Sequence, residues 1–164
     1  MWWTLVLVAL VGTMAAGCRK SGAVYRPMPP SAPGSTAPAR LDGYALATAA
    51  MALQGIPYRL GGADPSGFDC SGLVQYVLRE MGIAWPRVVH DQWEAGRPID
   101  ANDIAPGDLV FFVTEGRGVS HVGIAIGGDA YVHAPSSKGV VRVEHYSSGY
   151  WARRFVGARR VAGN

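Results

Sequence analysis

Leu109-Val110-Phe111-Phe112-Val113, His121-Val122-Gly123-Ile124-Ala125-Ile126 and Ala130-Tyr131-Val132-His133-Ala134 follow one another closely. The first is a continuous apolar run behind the turn Pro106-Gly107-Asp108, which predicts a central strand covered on both faces. The second alternates as a strand does, and the third comes after a Gly127-Gly128-Asp129 turn. Val140 to Tyr146 and Phe155 to Val161 complete a set of strands. Upstream the pattern is helical. Asp42 can cap a helix over Gly43 to Leu53, with Gly55 and Pro57 just past its end. A second helix is predicted over Cys70 to Met81, with Leu73, Val74, Val77, Leu78 and Met81 on one face and Gln75, Arg79 and Glu80 on the other. Helices first and antiparallel strands after give an α+β domain, with the N-terminal helices packed on a central antiparallel sheet.

Strand geometry then bears on chemistry. His121 shares a face with Gly123 and Ala125, while the branched side chains point the other way. That shallow face leaves room for a helix to pack against it and bring a residue at its N-terminus to the imidazole. With Gly127, Gly128 and Asp129 as a three-residue loop, Ile126 pairs with Ala130 and Gly123 with His133, so His133 lies diagonal to His121 on one face. A two-residue loop shifts the register by one and separates the histidines. The three-residue version is the one that builds a site.

The chain has two cysteines. Cys18 ends a short apolar segment, Leu5 to Val11 followed by Gly12 to Gly17, which is too short for a comfortable transmembrane helix. Small residues at Ala15-Ala16-Gly17 before a cysteine are similar to a bacterial lipoprotein signal, with residues 1–17 removed and Cys18 acylated; a plain cleaved signal is the competing reading. Several acyl chains would anchor the protein firmly. Arg19 follows Cys18, without the Asp that retains lipoproteins at the inner membrane, so an outer-membrane position facing the periplasm is expected. Residues 19–40 are rich in Pro, Ser, Ala and Gly and show no hydrophobic period, so 18–40 is expected to be the lipidated Cys and a disordered tether. Cys70 is then left without a disulfide partner in an oxidising compartment, which points to a nucleophile, with a small packed hydrophobe as the alternative.

Residues 41–164 suffice for one domain around one core, with no repeat, and a monomer is expected. The net charge of +3, concentrated in Arg153, Arg154, Arg159 and Arg160, suits an acidic partner or simply a solvated basic face. Export speaks against a nucleic-acid partner.

Pro57-Tyr58-Arg59-Leu60-Gly61-Gly62, Asp69-Cys70-Ser71-Gly72-Leu73, Gly107-Asp108-Leu109-Val110-Phe111-Phe112, His121 to Gly127 and Tyr131-Val132-His133-Ala134 together resemble the motif series of the NlpC family, papain-like cysteine peptidases of the bacterial cell wall. The resemblance runs from Leu41 to Val161 in the family's order. It implies that Cys70 is the nucleophile, His121 its base, His133 the residue that orients the base and Tyr58 a tyrosine near the oxyanion. It also implies cleavage of peptidoglycan stem or crosslink peptides involving D-amino acids and diaminopimelate, through an acyl-enzyme and without a cofactor.

A cysteine at a helix N-terminus gains from the macrodipole and from an imidazolium neighbour, so its pKa is expected to fall well below about 8.5. First-turn N–H groups can receive an oxyanion. Asp69 can contact a substrate amine or cap the helix, and Ser71 can help bind substrate or merely be small. Pro86-Arg87 is similar to a family segment that continues with Ser or Thr, whereas Val88 and Val89 follow here, which puts a side-chain hydrogen bond at that point in doubt. His90 and His145 are expected to be solvated. Trp85, Trp93 and Trp151 either wall a groove or pack in the core. No metal is expected, since no carboxylate is placed to join His121 and His133. Two other readings stay open: a non-catalytic wall-binding module, and an amidase or transpeptidase using the same Cys and His pair.

Overall fold

The computed structural model describes residues 41–161 except Lys138. The expected signal segment, the acylated Cys18 and the tether lie outside the described residues. The elements in chain order are α1 (Gly43–Met51), β1 (Ala63–Asp64), β2 (Gly67–Phe68), α2 (Cys70–Glu80), α3 (Val89–Ala95), β3 (Arg97–Ile99), β4 (Leu109–Phe112), β5 (His121–Gly127), β6 (Ala130–His133), β7 (Arg142–His145), α4 (Gly149–Ala152) and β8 (Phe155–Arg160).

Helix starts follow their caps. The Asp42 carboxylate accepts the Tyr44 and Ala45 amides at 3.0 and 3.4 Å, and the Asp69 carboxylate accepts the Gly72 amide at 2.7 Å. Each satisfies donors that the first turn leaves without an intrahelical partner. On α2, Leu73, Val74, Val77 and Leu78 are buried, and each such side chain contributes about 1.5–3 kcal/mol on leaving water.

Six strands form an antiparallel sheet in the order β3-β8-β4-β5-β6-β7, beside a separate β1-β2 hairpin. Both faces of its centre are covered, which is why β4 is apolar at every position. Leu109 and Phe111 join Val122, Ile124 and Val132 against Leu46 of α1 and Leu73, Val74 and Val77 of α2. Val110 and Phe112 face the other way, toward Ala125, Tyr131, Trp151 and Ala158.

That division corrects one expectation. The helices pack on the face of Val122 and Ile124, not on the shallow face of His121, Gly123 and Ala125. The branched side chains supply the apolar area that a helix can bury, and the shallow face takes aromatic rings instead. A Cβ at Gly123 would meet Tyr131 Cδ2 at 2.5 Å and His133 Cβ at 3.1 Å, so the missing side chain there admits the neighbouring strand's rings.

The β5-β6 turn corrects another. Gly127 pairs with Ala130, leaving a two-residue loop of Gly128 and Asp129, while Ala125 pairs with Tyr131 and Ile124 with Val132. A β-bulge at Ile126 takes up the odd residue between the two registers. The two-residue loop therefore does not separate the histidines, and the register beyond the bulge sets Gly123 opposite His133.

Several elements were not expected from the sequence. α3 begins after Val88, which makes no side-chain cap bond; a chain segment without a capping residue gives no start signal. β3 contains Pro98 and sits at the sheet edge, where a missing N–H is tolerated. The C-terminal arginines are partly tied down: Arg160 pairs with Asp108 at 2.7 Å, and the Arg159 guanidinium lies 3.3 Å from the Trp93 ring centroid. Among the described residues no helix is long and apolar enough to cross a membrane.

Candidate active site

Cys70 is the first residue of α2 and is partly buried against the helix-side core. The backbone N–H groups of Val122, Ser71 and Cys70 itself face its sulfur. Val122 follows His121 at the start of β5, so the thiol lies beside the strand residue next to that imidazole.

His121 Nε2 lies 2.7 Å from His133 Nδ1, and both residues are buried. Trp151 stacks on His121 at 5.1 Å between centroids and meets His133 edge-on at 4.8 Å. Trp151 thus belongs to the core and to the wall around the two imidazoles at once. Contrary to the sequence reading, a carboxylate does reach this group: Glu144 Oε2 is 3.9 Å from His133 Nε2. Among the described residues no set of three or more His, Cys, Asp and Glu is gathered as a metal site.

The charge states differ from expectation. Burial, followed by the Asp69 carboxylate, pushes the Cys70 thiol up to about 11, against the smaller downward pull of the three amides. Burial alone pushes His121 down to about 4. Burial, then His121, then Arg142 push His133 down to about 2. The resting pair is therefore a neutral thiol beside neutral imidazoles, because removing the charged forms from water costs more than the helix terminus returns.

Asp69 is heavily engaged. Oδ1 accepts the Gly72 amide at 2.7 Å, Arg87 Nη1 at 3.0 Å and Ser71 Oγ at 3.3 Å. Oδ2 accepts Arg87 Nη2 at 2.6 Å and the Gly61 amide at 2.9 Å. Burial raises this carboxyl, but the Arg87 and amide hydrogen bonds outweigh it and hold the group below the usual carboxylate range. Arg87 Nη1 also donates to Ser71 Oγ at 2.9 Å, so Arg87 locks the first turn of α2 from outside. Gln92, fully buried on α3, donates to the Ser71 carbonyl at 3.0 Å and the Pro86 carbonyl at 2.8 Å. Its role had no sequence signal beyond a polar residue inside a short helix.

Tyr58 is half-buried and bridges to Phe68. Burial, then Cys70, Asp69 and Glu115, raise its hydroxyl pKa, which sets the phenol in the same neighbourhood as the thiol. His90 is exposed. His145 is also exposed but pairs with Asp129 at 2.7 Å at the hairpin tip.

Residues 55–160 match the model of the NlpC/P60 family. The chain is 42% identical over 109 residues to the murein DD-endopeptidase MepS/murein LD-carboxypeptidase of Escherichia coli, covering 66% of this chain and 57% of that protein. It is 35% identical over 157 residues to the probable endopeptidase NlpC of Escherichia coli, covering 94% and 97%. A solved NLP/P60-family protein from Staphylococcus aureus, described as similar to lipoprotein, superposes with a TM-score of 0.67 at 38% identity, covering 80% of this chain and 46% of that one. The chain spans 41% of murein DD-endopeptidase MepH and 28% of the gamma-DL-glutamyl hydrolase of Bacillus subtilis, so several relatives are much longer.

Proposed function

The chain belongs to the NlpC/P60 family, and from that premise we propose that it is a peptidoglycan hydrolase, a cysteine peptidase that cuts stem or crosslink peptide bonds involving D-amino acids and diaminopimelate. The observation that carries the reading is the juxtaposition of a helix-terminal thiol, facing the Val122 amide, with the His121–His133 pair at 2.7 Å.

In this mechanism the Cys70 sulfur attacks the scissile carbonyl carbon as His121 Nδ1 takes the thiol proton. Because thiol and imidazole rest neutral, proton transfer accompanies attack. The oxyanion is received by first-turn amides of α2 with the Tyr58 hydroxyl beside them. His121 returns the proton to the leaving amine, the C–N bond breaks and a thioester remains. Water, deprotonated by His121, attacks the thioester and releases the acid and the thiol. His133 orients His121 throughout. Asp69 and Ser71 hold Arg87 at the rim of this site, and any substrate contact they make passes through that cluster.

The enzyme acts as a monomer, anchored through acylated Cys18 at the outer membrane facing the periplasm; Ala15-Ala16-Gly17-Cys18 and Arg19 support that location. Mass spectrometry of purified muropeptides before and after digestion tests the activity and identifies the bond. The wild type is expected to split them and Cys70→Ala to leave them whole; cleavage by the alanine variant would overturn the mechanism. Fractionation of wild type and Cys18→Ser tests the anchor, with a soluble, unacylated wild type refuting it.

A further inference from the structure

We infer that Glu144 is a positioning residue for the Cys70, His121 and His133 relay: its carboxylate keeps the His133 proton on Nε2, which leaves His121 Nδ1 free to receive the thiol proton. This rests on the proposed role of His121 as the base.

Only one proton can occupy the 2.7 Å contact between His121 Nε2 and His133 Nδ1. If His133 Nδ1 carried it, neutral His121 would hold its own proton on Nδ1 and could not act as a base. A competent site therefore needs His121 protonated on Nε2, His133 Nδ1 as the acceptor and the single proton of neutral His133 on its far nitrogen. That far nitrogen, Nε2, is buried and has no hydrogen-bond partner among the described residues. It faces Glu144 Oε2 at 3.9 Å, too long for a hydrogen bond but close enough for a carboxylate to favour the tautomer with a proton on that edge.

The sheet fixes this relation. Tyr131 pairs with Glu144 and His133 with Arg142, so Glu144 lies diagonal to His133 on the same face. Its carboxylate is itself held: Trp151 Nε1 donates to Oε2, and Arg142 Nε is 3.1 Å from Oε1. The indole that holds Glu144 also stacks on His121, so one side chain braces both ends of the relay. The titratable groups facing His133 are His121 from β5, Tyr131 from its own strand and Arg142 and Glu144 from β7. Glu144 is the only carboxylate among them.

Long-range proton–nitrogen correlation spectra of ¹⁵N-labelled protein near neutral pH read the tautomers directly. In the wild type, His133 and His121 should both carry their protons on Nε2. Glu144→Gln keeps an acceptor for the Trp151 indole while removing the charge. In it His133 should lose its tautomer preference, and kcat on muropeptides should fall about tenfold with KM unchanged, as for outer partners of working imidazoles. A wild-type His133 protonated on Nδ1, or a Glu144→Gln variant with wild-type kcat and tautomers, would overturn the inference. If Glu144→Gln fails to fold, the wild-type spectrum alone decides. Wild-type protein that leaves muropeptides intact while showing the expected tautomers would refute the peptidoglycan reading and uphold the Glu144 relation.

Discussion

His121 Nε2 and His133 Nδ1 stand 2.7 Å apart with their rings close to perpendicular, at 86°. An edge-on approach of this kind aims a ring N–H at an in-plane lone pair, so His133 fixes both the rotation and the tautomer of its neighbour. Loss of His133 should leave a base that is present but poorly aimed. His133→Ala is expected to lower kcat by roughly a hundredfold, whereas His121→Ala approaches the near-complete loss of Cys70→Ala. His133→Asn, which restores an acceptor, should recover part of the rate. Steady-state kinetics on one purified muropeptide checks the ranking, and equal losses in all three alanine variants would contradict it.

The neutral resting pair predicts how Cys70 meets an alkylating agent. With the thiol pushed up to about 11, iodoacetamide should react slowly near neutrality and faster as pH rises through the alkaline range. A full-rate plateau from pH 6 upward would instead reveal a preformed thiolate–imidazolium pair.

Acid should unfold this domain early. His121 is held near pKa 4 by burial, below its ordinary 6.5, and His133 is depressed in the same direction. A depressed folded pKa means that the unfolded chain binds more protons between those limits. The stabilisation is complete above about pH 6.5 and is lost as pH falls toward 4, about 3 kcal/mol from His121 alone. Urea midpoints measured from pH 7 to 4 should drop, and replacing both histidines with Gln should flatten the curve.

Gly72 offers a structural control. A methyl there would collide with the Gly62 carbonyl oxygen and crowd Asp69 Oδ1. Gly72→Ala should displace the first turn of α2, lowering stability by about 1–3 kcal/mol and lowering kcat with it. Denaturant titration alongside kinetics checks both; an alanine variant with wild-type stability would show that this approach is not tight.

Much of the architecture was legible because pattern and cap agreed. Asp42 and Asp69 stand as caps before helix-forming runs, the second of them amphipathic, and the strands β4 to β8 carry the apolar or alternating signal that a sheet requires. What escaped lacked a local signal. Val88 cannot cap α3 with its side chain, and the two-residue strands β1 and β2 are too short to alternate. The side of the sheet that the helices cover was misassigned because a shallow surface suggests room for a helix, whereas helix packing is driven by buried apolar area, which Val122 and Ile124 provide. The pKa of Cys70 was misjudged because sequence reveals a helix terminus but not the burial that opposes it. Glu144, Arg87 and Gln92 matter through cross-strand and cross-loop contacts, which the chain order hides.

The Ile126 bulge gives the hairpin one residue of slack. Deleting Gly128 should let Ile126 enter the ladder opposite Ala130, with Gly127 and Asp129 closing the turn, so the histidines keep their register and the enzyme keeps its activity. Deleting both Gly127 and Gly128 exhausts the slack and forces a slip that carries His133 to the opposite face, with loss of turnover. Length at this tip is therefore uncoupled from the chemistry over one deletion but not two, and the active site is shielded from the commonest kind of change a surface turn undergoes.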